Sequence, residues 1–213
     1  PIADYLERVP MDFYYKNSLY ETVFDETCWS LNWITTPAHI TGLTWYNSFT
    51  SNALSLGKPT VIWLGNTDLE DLSGGWIPST DLTLVFDGNV SYPMGQNWVN
   101  VMFQTPFYYE GGNLVMLVQR PMDTQYYDSN DKFYCYTLGN LTARRVYSDN
   151  TVFDPANPPD AATGIYHYQP KTMFYHTTTM FGTLTGTVRD PQNQPVAGAT
   201  VTIIGTGQTT LTD

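Results

Sequence analysis

Charge is scarce in this 213-residue chain, and basic charge scarcest of all. Charged side chains make up 14%, with 9 Lys and Arg against 20 Asp and Glu, for a formal net charge of -11. A field of that sign repels phosphate backbones and anionic lipid surfaces, so no nucleic-acid partner is expected. No apolar run approaches the roughly 18 residues that a membrane-spanning helix needs, so no membrane insertion is expected either. Histidine and cysteine number only three and two. His39, His167 and His176 come without a Gly-x-Ser-x-Gly elbow or a His-Glu-x-x-His helix. Each therefore reads as an ordinary strand or loop histidine, and no nucleophile, base and orienting group declare themselves. Cys28 and Cys135 lie far apart, without metal-type spacing. One disulfide or two buried thiols both fit, and the pair does not fix a compartment. The chain opens at Pro1 and stops at Asp213 within a strand-like pattern, as a piece of a longer precursor would, so the lack of a leader carries no weight.

Helical periodicity is also missing, whereas aromatics reach 15%, with 16 Tyr, 10 Phe and 6 Trp beside 16 Gly and 14 Pro. Aromatic side chains pack well on a half-buried pleated surface, and Gly and Pro supply the turns that many short strands require. Leu82, Leu84 and Phe86 alternate onto one face, as do Val99, Val101 and Phe103. Thr60 to Leu64 and Leu114 to Val118 are apolar on both faces and read as central strands, and Lys171 to Tyr175 as a closing one. Turns are expected at Gly65-Asn66, Asp87-Gly88, Met94-Gly95, Gly111-Gly112 and Gly139-Asn140, with a proline-rich surface loop over Asp154 to Asp160. The spacing predicts an all-β fold, a jelly roll or β-sandwich over residues 1–181. From Gly182 the chain becomes Thr-, Gly- and Val-rich. Leu184, Gly186 and Val188 are expected in one strand, Pro191 to Gly198 in a turn, and Ala199, Val201 and Ile203 in the next. About three strands cannot close a sandwich, so residues 182–213 read as an incomplete Ig-like β-sandwich module. Later residues of the precursor or a strand from a neighbouring chain would complete it.

Two stretches resemble known families. The tail, Gly182-Thr-Leu-Thr-Gly-Thr-Val-Arg-Asp followed by Gln194-Pro-Val-Ala-Gly-Ala-Thr-Val-Thr, resembles the start of a carboxypeptidase regulatory-like domain, a family of small structural β-sandwiches. The segments Ser18-Leu-Tyr-Glu-Thr-Val-Phe, Ile40-Thr-Gly-Leu-Thr-Trp-Tyr-Asn, Val61-Ile-Trp-Leu-Gly-Asn-Thr-Asp-Leu, Leu84-Val-Phe-Asp-Gly and Thr105-Pro-Phe-Tyr-Tyr-Glu-Gly-Gly-Asn-Leu-Val are similar to the jelly-roll adhesin-type repeats of exported bacterial surface proteins. Together these resemblances imply a non-enzymatic extracellular structural or adhesion module at the bacterial cell surface, self-assembling through strand complementation with other copies or neighbouring domains. The alternative is a carbohydrate-binding module of an exported enzyme, with extracellular glycans as partners.

Candidate sites follow from side-chain chemistry. Asp68, Glu70 and Asp71 crowd one loop, and Asp128, Asn130 and Asp131 another. Such oxygen clusters suit structural calcium, which the jelly-roll resemblance favours, or are solvated turn acids. Of the carboxylates that a glycosidase would pair, Glu70, Asp71, Asp123 and Asp128 lie in turn-like stretches, where Asp bonds its own backbone. For sugar stacking the candidates are Trp76, Trp98, Tyr126 and Tyr127. Trp98 shares a strand face with Asn100, Met102 and Gln104, a face either packed under a loop or exposed as a platform. Asn89-Val-Ser and Asn140-Leu-Thr are glycosylation sequons.

Overall fold

The structure, a computed structural model, describes residues 5–138, 141–160, 164–178, 185–202 and 209–213, with only the backbone for Gly164–Tyr166. It forms two compact units, Pro1–Thr179 and Met180–Asp213. The strands are β1 (Tyr5–Glu7), β2 (Asn17–Phe24), β3 (Ala38–Phe49), β4 (Lys58–Thr67), β5 (Thr83–Val90), β6 (Gly95–Tyr109), β7 (Asn113–Arg120), β8 (Lys132–Thr137), β9 (Ala143–Ser148), β10 (Gly164–Tyr166), β11 (Tyr168–Pro170), β12 (Thr172–Thr178), β13 (Thr200–Thr202) and β14 (Thr209–Leu211).

The first unit is a β-sandwich of antiparallel sheets. In the back sheet the order is β10-β9-β2-β7-β4-β5; in the front sheet β3 is central, with β6 along one side and β12 and β8 along the other, β8 also pairing β1 and β11. One core joins the inner faces: Ile40, Leu43, Trp45, Val99, Val101, Phe133 and Phe174 from the front meet Phe24, Ile62, Leu64, Leu114, Met116 and Val118 from the back. Phe13, Phe49, Tyr92 and Phe133 pack together at 5.1–6.3 Å in one end of that core, edge-on or tilted except for the stacked Phe13–Phe133 pair. Arg120 closes this end. Its buried guanidinium donates to the carbonyls of Asp12 (3.1 Å) and Gln125 (3.0 Å), pairs with Asp123 at 3.3 Å and lies over the Phe13 ring.

The outer faces differ. Back-sheet strands carry apolar residues on both sides, as Leu114 to Val118 predicts, and their outer residues Leu19, Val23, Val115, Leu117 and Val146 are covered by Leu72, Trp76, Ile77 and Leu82 of the β4–β5 connection and by Phe153. No such roof of packed apolar clusters covers the outer face of the front sheet among the described residues.

Three local expectations are corrected. Gly65-Asn66 and Asp87-Gly88 lie within β4 and β5 rather than at turns. Gly65 serves there as a seat for the roof, since a Cβ on it would stand 2.5 Å from the Leu82 side chain. Leu82, Leu84 and Phe86 do not share a face, because Ile62 pairs with Phe86 and Trp63 with Leu84, so Val85 is an extra residue in a bulge and is buried with Phe86 while Leu84 is exposed. Met94-Gly95 falls at the entry to β6, with Gly95 its first residue, and Gly111-Gly112 falls between β6 and β7, where both glycines have positive φ (111° and 79°). Gly139 lies outside the described residues.

In the second unit, β13 and β14 form a two-stranded ribbon. The expected strand over Gly186 and Val188 is not formed among the described residues: this stretch is joined to the next by the Arg189–Pro195 bridge and by the Val196 N–H to Val188 and Asp190 N–H to Gln194 bonds (both 2.9 Å) around a turn capped by Asp190. Leu184 and Ile203 lie outside the described residues.

Where β6 bulges away from β3, with its residues 103–106 set against the single Thr41, Gly42 lets the strands approach again. A Cβ there would stand 2.7 Å from the Val101 carbonyl oxygen and 3.1 Å from the Met102 sulfur. Gly42→Ala is expected to destabilise the unit by about 1–3 kcal/mol, seen as a lower urea midpoint at unchanged slope. Gly74→Ala, in open space, should stay within about 0.5 kcal/mol of the parent.

Candidate functional site

The acidic loops are built as turns. Asp71 Oδ1 accepts from the Ser73 N–H (2.9 Å) and hydroxyl (2.6 Å), bonds that hold its pKa below the usual carboxylate value. Asp128 Oδ1 accepts from the Asn130 N–H and side-chain amide, while Asp131 is buried and braces Thr50 through its N–H (2.8 Å) and hydroxyl (2.9 Å). Asp68 and Glu70 are exposed. Among the described residues, no group of three or more His, Cys, Asp or Glu is arranged to hold a metal ion.

Of the two readings open for the cysteines, the structure has free thiols rather than a disulfide. Cys135 is buried with Val9, Tyr20 and Ala143, and burial raises its pKa well above the ordinary thiol value; Cys28 packs against the main core from the β2–β3 connection. The side chains thus belong to different apolar clusters.

The sugar-stacking candidates are dispersed. Trp76 is part of the roof over the back sheet, its indole N–H buried without a partner. Tyr127 turns inward against Phe13 and carries Lys58 over its ring, whereas neighbouring Tyr126 is 62% exposed. Trp98 alone stands on the outer face of the front sheet, 47% exposed.

Trp98 is not isolated there. β3 places Tyr46 directly opposite it, and Tyr134 of β8 flanks Tyr46 on the other side. The rings stack in a row, with Tyr134–Tyr46 centroids 4.6 Å apart at 22° and Tyr46–Trp98 4.8 Å apart at 25°. That step equals the spacing of neighbouring strands, so the rings stand on edge along the sheet and use their faces on one another. Gln96 holds the phenol ends: its amide nitrogen donates to the Tyr134 hydroxyl (2.7 Å), and its carbonyl oxygen accepts from the Tyr46 hydroxyl (3.3 Å). At the Tyr134 end of the row, Lys171 lies 5.7 Å from the ring and Leu6 is the cross-strand neighbour. At the other end, Trp98 has Tyr46 on one face and stands on β6, which among the described residues pairs only with β3 and so borders the sheet.

A cleft of about 450 Å3 opens at that edge, between β6 and β5 with the residues that follow it, and its lining includes Phe86, Asn89, Ser91, Trp98, Asn100 and Met102. Further along the same edge, Gln104 closes the gap: it accepts from the Asp87 N–H and donates to the Asp87 carbonyl, both at 2.9 Å. Asn100 accepts a hydrogen bond from the Tyr175 hydroxyl (3.0 Å), which fixes its amide. The sequon residue Asn89 is exposed in this cleft, and Asn140 of the other sequon lies outside the described residues. The exposed face of Trp98, Asn100, Met102 and Gln104 was legible as alternation. Tyr46 and Tyr134 were not, because pairing across strands brings them to Trp98; Gln96 lies two residues before Trp98 on β6, just outside the run read as alternating, and Asn89 was marked as a sequon but not as a neighbour of Trp98.

Comparison of the chain with protein-family models, with curated proteins and with solved structures finds no match.

The back sheet carries the most perturbed carboxyl. Glu21 is buried under the roof, where Oε2 accepts the Ile77 N–H (3.0 Å) and Oε1 has no partner. Burial pushes its pKa up to about 8, against the opposing pulls of the Ile77 bond and of Arg144, its cross-strand neighbour. A carboxyl protonated in the folded state but ionised in the unfolded one weakens folding as pH rises from the unfolded value of 4.5, and the loss is complete above about 8. Glu21→Gln is therefore expected to match the parent in Tm near pH 4.5 and to exceed it increasingly up to about pH 8, by about 2–4 °C for each kcal/mol relieved. A difference that is flat with pH would contradict the buried acid.

Proposed function

We propose that the chain is a non-catalytic binding module of an exported bacterial surface protein, and that its first unit serves adhesion by holding a glycan on the front sheet. The observation that carries this reading is the pre-ordered aromatic row on an outer face without an apolar roof, bordered by the amides of Gln96 and Asn100. An aromatic ring takes the apolar side of a pyranose, and fixed amides take its hydroxyls. Groups held rigid before binding lose little entropy when a ligand arrives.

Assembly is a second reading, favoured by the β13–β14 ribbon. A two-stranded ribbon is marginal alone, and among the described residues neither strand has a partner on its outer edge, which suits strand addition by a neighbouring copy or domain.

On a mixed array of neutral and acidic glycans, supplemented with insoluble polysaccharides, the chain is expected to be retained by at least one saccharide class. Silence across the whole panel would remove the glycan reading. Sedimentation at increasing concentration tests assembly: strand exchange predicts oligomers that vanish when residues from Met180 onward are deleted.

A further inference from the structure

We infer that the ligand site is the cleft at the free face of Trp98, and that it takes a single uncharged sugar residue rather than a saccharide lying along the aromatic row. This rests on the glycan reading above and narrows it.

Three observations lead there. The first is ring orientation. Because Tyr134, Tyr46 and Trp98 stack on one another at strand spacing, the faces of Tyr46 are occupied by its neighbours, and Tyr134 is bordered by Lys171 and Leu6 beyond. A pyranose needs a ring face, and the edges that the row turns to solvent offer none. Of the row, only the indole has a face without a ring or cation against it among the described residues, and Trp98 lines the cleft.

The second is the donor set. Asn100 is held by Tyr175 through its carbonyl oxygen, which leaves its amide NH2 to donate. Asn89 adds an amide from the opposite wall, and Ser91 an acceptor oxygen, its hydroxyl proton being donated to the Ser55 carbonyl (2.6 Å). Asn89 follows Asp87 by two residues, and the Asp87 backbone groups point to this edge, as their bonds to Gln104 show. The N–H and C=O of Asn89 therefore point to the same edge, adding a backbone donor and acceptor to the cleft. Met102 and Phe86 supply apolar wall.

The third is charge. No residue lining the cleft is ionisable, and the chain as a whole carries -11. A uronate, sialate or sulfated sugar would enter an adverse field with no cation to meet it. At about 450 Å3 the cleft lies at the small end of ligand pockets, which suits one residue at the end of a saccharide or a branch.

The experiment is a fluorescence and calorimetric titration of the full chain with cellobiose, maltose, lactose and N,N'-diacetylchitobiose, and with polygalacturonate and heparin as anionic probes. The expected result is binding of at least one neutral disaccharide with a change in tryptophan emission. Trp98→Ala should weaken it about tenfold or more, Asn100→Ala by a smaller factor, and Trp98→Phe should partly restore it; Tyr126→Ala, at an exposed ring elsewhere, should leave it unchanged. Trp98 is half exposed, and an unchanged Tm for its variants separates loss of the site from loss of the fold. Neutral binding that survives Trp98→Ala, or a preference for the anionic probes, overturns this site while leaving the glycan reading standing. No binding to any probe, together with silence on the array, overturns both.

Discussion

A β-strand presents successive side chains to opposite sides, so every strand of a sandwich poses two burial problems, one toward the shared core and one away from it. The inner problem has a common solution in this chain, a single apolar layer between the sheets. The outer problem is solved twice, in different ways, and the rest of the molecule is arranged around that difference. The back sheet is apolar on its outer face, so the long β4–β5 connection and Phe153, just ahead of the proline-rich loop, fold over it as a roof. On the front sheet the outer face is finished by side chains alone, with rings stacked on rings and amides tying their ends. One face is thereby spent on stability, and the other is available for contact.

The roof accounts for part of the buried polar chemistry of the structure. Covering a sheet with irregular chain buries backbone and side-chain polar groups that a regular ladder would have satisfied. Arg144 answers part of this by donating to the carbonyls of Leu72 and Ser73, and Glu21 answers another part by accepting from Ile77. Glu21 pays with a carboxyl held far above its ordinary pKa. At the closed end of the core, the Asp12 carboxylate lies 3.7 Å from Arg8 and 3.6 Å from Arg145, yet burial still raises its pKa. Buried ion pairs of this kind are weak sources of net stability, but removing one partner strands the other. Their physical role is to fix where loops attach, as Arg120 fixes residues 12 and 125 against the end of β7.

The sequence made the class of fold legible because alternation survives in it: Val99 and Val101 are inside while Trp98, Asn100 and Met102 are outside. The doubly apolar run at Leu114 to Val118 likewise marked a strand needing cover on both sides. Turn chemistry misled at Gly65 and Gly88, where glycine was chosen for close packing rather than for a turn. The Leu82 side chain would crowd a Cβ at Gly65, and the Phe86 ring would do so at Gly88. The bulge at Val85 reversed the expected face of Leu84 because one extra residue shifts a whole period-two pattern. The candidate site was half legible. Trp98 could be found from its own strand, but its stacking partners sit 52 residues before and 36 after it, and register across strands is not written in any one of them.

That register also decides what the aromatic face can do. Rings on three adjacent strands, spaced by the 4.6 to 4.8 Å observed between their centroids, are too close to lie flat side by side, so they stand and stack. Standing rings protect the backbone beneath them and satisfy one another, which is why a row of large aromatics can sit on a surface without a roof. The same arrangement consumes the faces that recognition would use, except at the end of the row. A stacked row therefore concentrates its remaining affinity at its terminus, and in this sandwich the terminus falls on an edge strand beside an uncharged cleft. Position in the sheet, rather than the number of aromatic residues, makes Trp98 different from the other rings of its face.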